Sequence, residues 1–398
     1  VTPHPDVVTG SRRVSWADAR NLAYAAGNVG RTETVALSDA HGRRLARGLS
    51  ALCDLPHYVS SAMDGWAVSG NPPWRIVDSV SIGAGECRPI VTGAVLPPGA
   101  TAVLRSEHAS TDGWVVTTTS DARADEPRDG EHMRPSGTEA HAGETLIVAG
   151  TLLNPAHIAL AASAGHDELL VATQPRVRLV LTGDEVVASG IPASGQVRDS
   201  FGPVLPSLVP QLGGVVTQTT HLHDSLAAMI GALSSDPTSH DVIITTGSTG
   251  SSSSDHLRHA LDELGATILI DGIRMRPGGP SLLARLEDGR FVVGLPGNPL
   301  AAILGLLTIG QPLLAALTGA PSPRSFRVPV AADLSGRAGT SLLVPYRLEG
   351  GLGVSTRWQS SSMMRGLAVS VGVLVCPPEG ITAGADAEAF ALPWCGDR

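Results

Sequence analysis

Between residues 175 and 319 short apolar runs alternate with helical stretches, and this alternation constrains the fold more than any other feature of the chain. It is the pattern of a doubly wound, mostly parallel sheet. The candidate strands are Val177-Arg178-Leu179-Val180-Leu181, Val215-Val216-Thr217-Gln218-Thr219, Asp241-Val242-Ile243-Ile244-Thr245 and Phe291-Val292-Val293. Helices are expected over 203–212, 225–233, 255–264 and 299–317. Residues 300–319 tempt a membrane reading, but Gln311-Pro312 interrupts the stretch and Pro299 suits a first helical position, so a buried helix is expected.

The rest of the chain reads as smaller units. Val14, Ala17, Leu22 and Ala23 carry a helical pattern, followed by the strand-like Thr34-Val35-Ala36-Leu37. From 51 to 136 short β-branched runs broken by Gly and Pro argue a β-rich domain. The helical stretch 155–165 lies where the chain returns to the first unit, and short strands after 323 form a last small β domain. The fold class is therefore multidomain α/β: a central doubly wound α/β/α domain with a β-rich N-terminal domain, a small helix/strand domain and a small C-terminal β domain. The expected boundaries are 1–50 with 138–174, 51–137, 175–323 and 324–398.

Composition removes whole mechanisms. All 28 basic residues are Arg and none is Lys. A Schiff-base enzyme, a pyridoxal-phosphate enzyme and a Walker-A nucleotidase each need an amine side chain at a fixed place, so all three are excluded. The formal net charge of −9 opposes nonspecific attraction to nucleic acid or anionic lipid, and neither is expected as a partner. Cys53, Cys87, Cys376 and Cys395 include no C-x-x-C pair and suggest neither a zinc site nor a disulfide framework. That usage, and a start without a basic and then apolar leader, lead to the expectation of a cytoplasmic protein.

In an open α/β sheet, ligands bind beyond the carboxyl ends of the strands, where helix N-termini favour anions. The first strand runs into Thr182-Gly183-Asp184-Glu185. The third runs into Thr245-Thr246-Gly247-Ser248 and a serine run ending at Asp255, and the fourth into Gly294-Leu295-Pro296-Gly297-Asn298-Pro299. Taken singly these are ordinary turn residues, and Asp255 has the alternative role of an N-cap. Three such loops on one sheet edge, with acids able to hold Mg²⁺ and amides able to hold phosphate, point to phosphate chemistry. No G-x-S-x-G elbow supports a serine hydrolase. His256 and His259 share a helix face without a third ligand and read as a solvated face.

A series of segments then carries a resemblance. Pro56-His57-Tyr58-Val59-Ser60-Ser61-Ala62-Met63-Asp64-Gly65-Trp66-Ala67-Val68 is followed by Val91-Thr92-Gly93-Ala94 with Pro97-Pro98-Gly99-Ala100. Next come Thr182-Gly183-Asp184-Glu185, Gly195-Gln196-Val197-Arg198-Asp199-Ser200 and Gly294-Leu295-Pro296-Gly297-Asn298-Pro299. In this order they resemble the molybdopterin molybdenumtransferase family, called MoeA in bacteria and represented in animals by the E domain of gephyrin. The resemblance runs from about residue 14 to about residue 390. It implies a four-domain homodimer with its site at the subunit interface and a molybdopterin-binding α/β domain. The implied reaction inserts molybdate into the dithiolene of adenylylated molybdopterin, with Mg²⁺ and release of AMP. The molybdopterin adenylyltransferase is an implied partner.

Carried over by position, the resemblance makes Asp64, Glu185, Asp224, Asp255 and Arg276 catalytic, with Asp64 leading. It assigns Asp64, Glu185, Asp224, Asp255 and Glu139 to the metal. It assigns Thr92, Thr182, Gly183, Asp184, Thr246, Gly247, Ser248, Pro277, Gly278, Pro296, Gly297, Asn298 and Ser361 to the pterin. Asp224 has a competing reading as the N-cap of a helix starting at Ser225. The chain also departs from the family pattern. Its serine loop lacks the second Gly, and the K-P-G-K-P turn is Arg276-Pro277-Gly278-Gly279-Pro280, where Arg276 keeps a charge and Gly279 cannot. Arg134-Pro135-Ser136-Gly137-Thr138-Glu139 ends in Glu where the family has Asp. The alternative to a working enzyme is a catalytically impaired paralogue that binds or scaffolds molybdopterin.

Overall fold

The computed structural model describes residues 13–28, 30–247 and 256–395. The chain divides into two compact units, one of residues up to 31 together with those from 172 onward, the other of residues 32–171.

In the first unit the elements in chain order are α1 (Trp16–Ala26), β1 (Arg176–Thr182), α2 (Leu205–Gln211), β2 (Val215–Leu222), α3 (Leu226–Leu233) and β3 (Val242–Thr246). They continue with α4 (His256–Glu263), β4 (Thr267–Asp271), β5 (Leu282–Arg285), β6 (Phe291–Leu295) and α5 (Pro299–Leu317). The sheet order is β2-β1-β3-β6-β5-β4. The first four pair in parallel, as the alternation requires, while β5 and β4 add on antiparallel. Those last two strands are absent from the sequence reading, because their apolar runs are short and end in charged residues.

The central strands read as continuous apolar runs because both faces are covered. Val177, Leu179, Val242, Ile244 and Val293 pack into one core, whereas Val180, Ile243 and Val292 pack into another. Each such burial contributes roughly 1.5–3 kcal/mol. The exception, Arg178, is buried, and its guanidinium donates to the Ala232 carbonyl at 3.0 Å and to Ser235.

Three expectations change. α1 belongs to this unit, and Trp16, Ala19 and Ala23 enter its larger core, while Ala17 and Leu22 are exposed. Trp16 sets the buried face by stacking on Phe390, with centroids 5.8 Å apart and the Arg20 guanidinium 5.0 Å over its ring. The helix after β2 is capped by Ser225, whose hydroxyl accepts the Ala228 N–H at 3.3 Å, so Asp224 is not the cap. Gln311-Pro312 does not break α5: a π turn over Leu306–Gly310 precedes it, and the Gln311 N–H reaches back to the Leu306 carbonyl. Pro312 follows where the helix ladder is already displaced. Of the described residues, only α5 forms a helix long and apolar enough to cross a membrane, and 89% of that stretch is buried inside the protein, the burial expected from the sequence.

A second sheet in this unit joins Met275–Arg276, Ser341–Glu349, Gly372–Cys376, Asp386–Ala391 and Phe326–Pro329 in that order, with Leu352–Ser355 paired to Ser341–Glu349. In the other unit a six-stranded sheet has the order Ala102–Arg105, Gly65–Val68, Glu86–Ile90, Trp74–Ile76, Val115–Thr118 and Ala109–Thr111. Beside it Thr32–Ala36 pairs with Glu168–Ala172, and Leu49–Ser50 with Thr145–Ile147. The helix Pro155–Ser163 starts at an Asn154–His157 capping box.

Candidate active site

The parallel strands end together, and the loops that follow β1, β2, β3 and β6 line one cavity of about 680 Å³. Thr182, Gly183, Asp184, Glu185, Asp224, Thr246, Gly247, Gly297 and Asn298 all reach its wall. The Gly247 N–H donates to the Leu295 carbonyl at 3.0 Å and the Thr182 hydroxyl to the Thr246 carbonyl at 2.8 Å, which ties three of the loops together. The Thr246 hydroxyl oxygen is buried with no hydrogen-bond partner among the described residues. A buried donor in that state is satisfied when a ligand supplies an acceptor.

Other positions fall elsewhere. Pro296 is buried beneath the Gly297-Asn298 turn. Arg276, Pro277 and Gly278 do not line the cavity: Arg276 is exposed and pairs in strand register with Leu342, and Pro277 and Gly278 are buried beside it. Ser361 contributes its carbonyl, which accepts the Ala301 N–H at 3.1 Å in the first turn of α5, and its neighbour Ser362 reaches the wall instead. Ser248 and Asp255 lie outside the described residues. Asp64, Thr92 and Glu139 belong to the other unit.

Two histidines on the wall, each paired with an acid, were not singled out from sequence. His223 Nδ1 meets Asp184 Oδ1 at 2.9 Å, and His221 Nε2 meets Asp199 Oδ2 at 3.1 Å. Burial works against the charge of Asp199, but the Gly202 N–H, His221 and the Phe201 N–H outweigh it and hold the carboxyl below its ordinary range. The G-Q-x-x-D-S segment contained the signal for Asp199, whereas two histidines alternating along a strand end carry none.

In the β-rich unit Asp64 sits on the turn that leads into Gly65–Val68. Its Oδ1 accepts the Thr92 N–H at 2.6 Å and the Thr92 hydroxyl at 2.8 Å, so the S-A-M-D-G and V-T-G-A segments meet at one atom. The amide, then the hydroxyl, hold this exposed carboxyl below its ordinary range. Gly65 has φ +153°, and a Cβ there would stand 2.0 Å from the Leu104 carbonyl oxygen. The glycine thus lets Asp64 ride close on a neighbouring strand. Glu139 is exposed, and its N–H donates to the Leu55 carbonyl at 2.8 Å. Among the described residues no three His, Cys, Asp or Glu side chains converge as a metal cage.

The chain matches two family descriptions, "MoeA N-terminal region (domain I and II)" over residues 14–165 and "Probable molybdopterin binding domain" over residues 178–316. It is 31% identical over 312 residues to the molybdopterin molybdenumtransferase of a Nostoc species, a match spanning 72% of this chain and 70% of that protein. The chain belongs to the molybdopterin molybdenumtransferase family. It is accordingly a transferase of molybdenum cofactor biosynthesis. A Mycobacterium tuberculosis protein named molybdopterin molybdenumtransferase 2 is likewise 31% identical over 314 residues, covering 73% of this chain and 76% of that one. The crystal structure of a molybdopterin biosynthesis MoeA protein from Pyrococcus horikoshii superposes with a TM-score of 0.78 at 22% identity, over 96% of this family member and 99% of that chain. The agreement in fold extends over both units.

Proposed function

We propose that this chain inserts molybdate into the dithiolene of adenylylated molybdopterin, in a Mg²⁺-dependent reaction that releases AMP. The observation that carries the reading is the convergence of four strand-end loops on one cavity lined by Thr246, whose buried hydroxyl is unpartnered among the described residues, and by carboxylates. Backbone N–H groups at strand ends suit the phosphates of the pterin and of the adenylate. Mg²⁺ takes one or two carboxylates and completes its shell with phosphate oxygens and water, so Asp184, Glu185 and Asp224 fit it without a protein cage. When bound there it would neutralise charge on the departing adenylate.

Asp64 has a separate task in this reading. Kept ionised by Thr92, it presents a fixed acceptor to the reacting end of the substrate. The family reading adds a homodimer with the site at the subunit interface, which sedimentation of the full chain tests.

The deciding experiment loads the protein with adenylylated molybdopterin and adds molybdate. AMP is expected with Mg²⁺ present, and its release is expected to stop on chelation and in Asp64→Ala. Bound pterin without AMP release would leave the paralogue that binds and does not turn over.

A further inference from the structure

We infer that His221 is the proton acceptor of this cavity and that Asp199 is its positioning residue; the inference rests on the adenylate chemistry proposed above. Both residues line the cavity wall. Asp199 is buried and fixed from behind, its Oδ1 accepting the Phe201 N–H at 2.8 Å and the Gly202 N–H at 2.9 Å. The turn leaves no room for a side chain at 202, where a Cβ would lie 2.3 Å from Asp199 Oδ2. That oxygen is directed instead to His221 Nε2, at 3.1 Å.

An ionised carboxylate only accepts, so the ring donates its Nε2–H to Asp199, and in the neutral tautomer the lone pair lies on Nδ1. The Asp199 side chain is 7% exposed and that of His221 52%, so the anchor is buried while the imidazole reaches open space. The other charged groups on this wall are Arg198 beside Asp199, Asp184 and Glu185 after β1, and His223 and Asp224 after β2. His223 is turned to Asp184, a carboxylate proposed for the cation, and its side chain is 95% exposed. With no Lys in the chain, an imidazole is the side-chain type suited to exchanging a proton here near neutral pH. His221 is the one backed by a buried, amide-anchored carboxylate, the arrangement of an oriented general base.

The co-reactant is water. Its oxygen bonds to the adenylate phosphorus while one of its protons passes to His221 Nδ1. The bond from that phosphorus to the bridging oxygen of the pterin phosphate breaks, and the electron pair stays on that oxygen. AMP departs, and the imidazolium, steadied by Asp199, returns its proton to solvent.

The test follows single-turnover AMP release by the full chain with adenylylated molybdopterin, Mg²⁺ and molybdate, from about pH 5 to about pH 9. The wild-type rate should rise through an acidic limb. His221→Gln should lower it by roughly 10²–10⁴-fold and flatten the limb, with pterin binding within about twofold of wild type. Added imidazole should restore part of the rate to His221→Gly, which a merely structural histidine would not allow. Asp199→Asn should slow AMP release by about tenfold or more with little change in KM. Wild-type release of AMP with His221→Gln within about threefold of it, limb intact, would overturn the assignment of His221 alone. Wild-type protein that binds the pterin and releases no AMP would remove the adenylate reading and this inference together.

Discussion

In the β-rich unit Asp64 stands exposed on a turn and is kept ionised by the amide and hydroxyl of one residue, Thr92. In the α/β unit Asp199 is buried, kept ionised by two amides, and spends its remaining oxygen on His221. The exposed carboxylate is available to a ligand and the buried one can act only through its partner. Replacing each should therefore separate chemistry from architecture. Two glycines mark the same contrast, since the atom that a Cβ would strike is a strand carbonyl at Gly65 and a side-chain oxygen at Gly202.

The glycines give the largest expected effect. Gly65→Ala drives a Cβ against backbone already paired in a sheet, and a loss of about 3 kcal/mol or more is expected by chemical denaturation. Gly202→Ala meets a side-chain oxygen rather than strand backbone, so it should cost less stability while breaking the hold on His221. Equal losses would erase the distinction. Asp64→Asn comes next: AMP release should fall by roughly 10²–10³-fold with the melting temperature nearly unchanged, because the side chain is exposed.

Acid separates the units by a different route. His240 is buried in the α/β unit, where Arg290 donates to its Nε2 at 2.6 Å. Burial, then the charges of Arg290 and Arg178, lower its pKa from 6.5 to about 4. A group so depressed stays neutral when folded and takes up a proton on unfolding. Its stabilisation is complete above the unfolded value of 6.5 and is lost as pH falls toward about 4, up to about 3 kcal/mol. In the β-rich unit the buried acid is Glu126. Its desolvation is outweighed by His108, the Arg123 N–H and Arg105, and its carboxyl is held below the ordinary range. That contribution is present above the unfolded carboxylate value and fades only as pH falls through the folded one. Hydrogen exchange followed during acidification should show the α/β unit loosening first. His240→Gln, which keeps an acceptor for Arg290, should remove that early phase, and simultaneous loosening of both units would contradict the assignment.

Much of this was legible because the chemistry depends on backbone. Strand ends flanked by Gly, Thr and Asp announce where amides and acids gather, and the loops after β1, β3 and β6 line the cavity accordingly. What was not legible depends on side-chain direction or on pairing between distant segments. Trp16 turned α1 so that Leu22 faces solvent, although a period of apolar residues placed it inside. The Arg276 turn joined the second sheet through Leu342, a pairing across some sixty-six positions that no local pattern encodes. His221 and His223 acquire meaning only from Asp199 and Asp184, which reach the same wall from loops outside β2.

The smallest effect is the most discriminating for Asp64. Both Thr92 donors reach the same oxygen, the N–H at 2.6 Å and the hydroxyl at 2.8 Å, and the amide does more to keep the carboxyl ionised. Thr92→Val keeps the shape and the amide and removes only the hydroxyl. One lost hydrogen bond to a charged acceptor should slow AMP release by roughly tenfold. The direction with pH follows from the lowered carboxyl: with one donor gone it protonates at a higher pH, so activity should be lost earlier as pH falls. Thr92→Ser, which returns the hydroxyl, should restore both rate and profile. A Thr92→Val variant as slow as Asp64→Asn would mean that the hydroxyl meets the substrate itself, and Thr92 would then rank beside Asp64 rather than behind it.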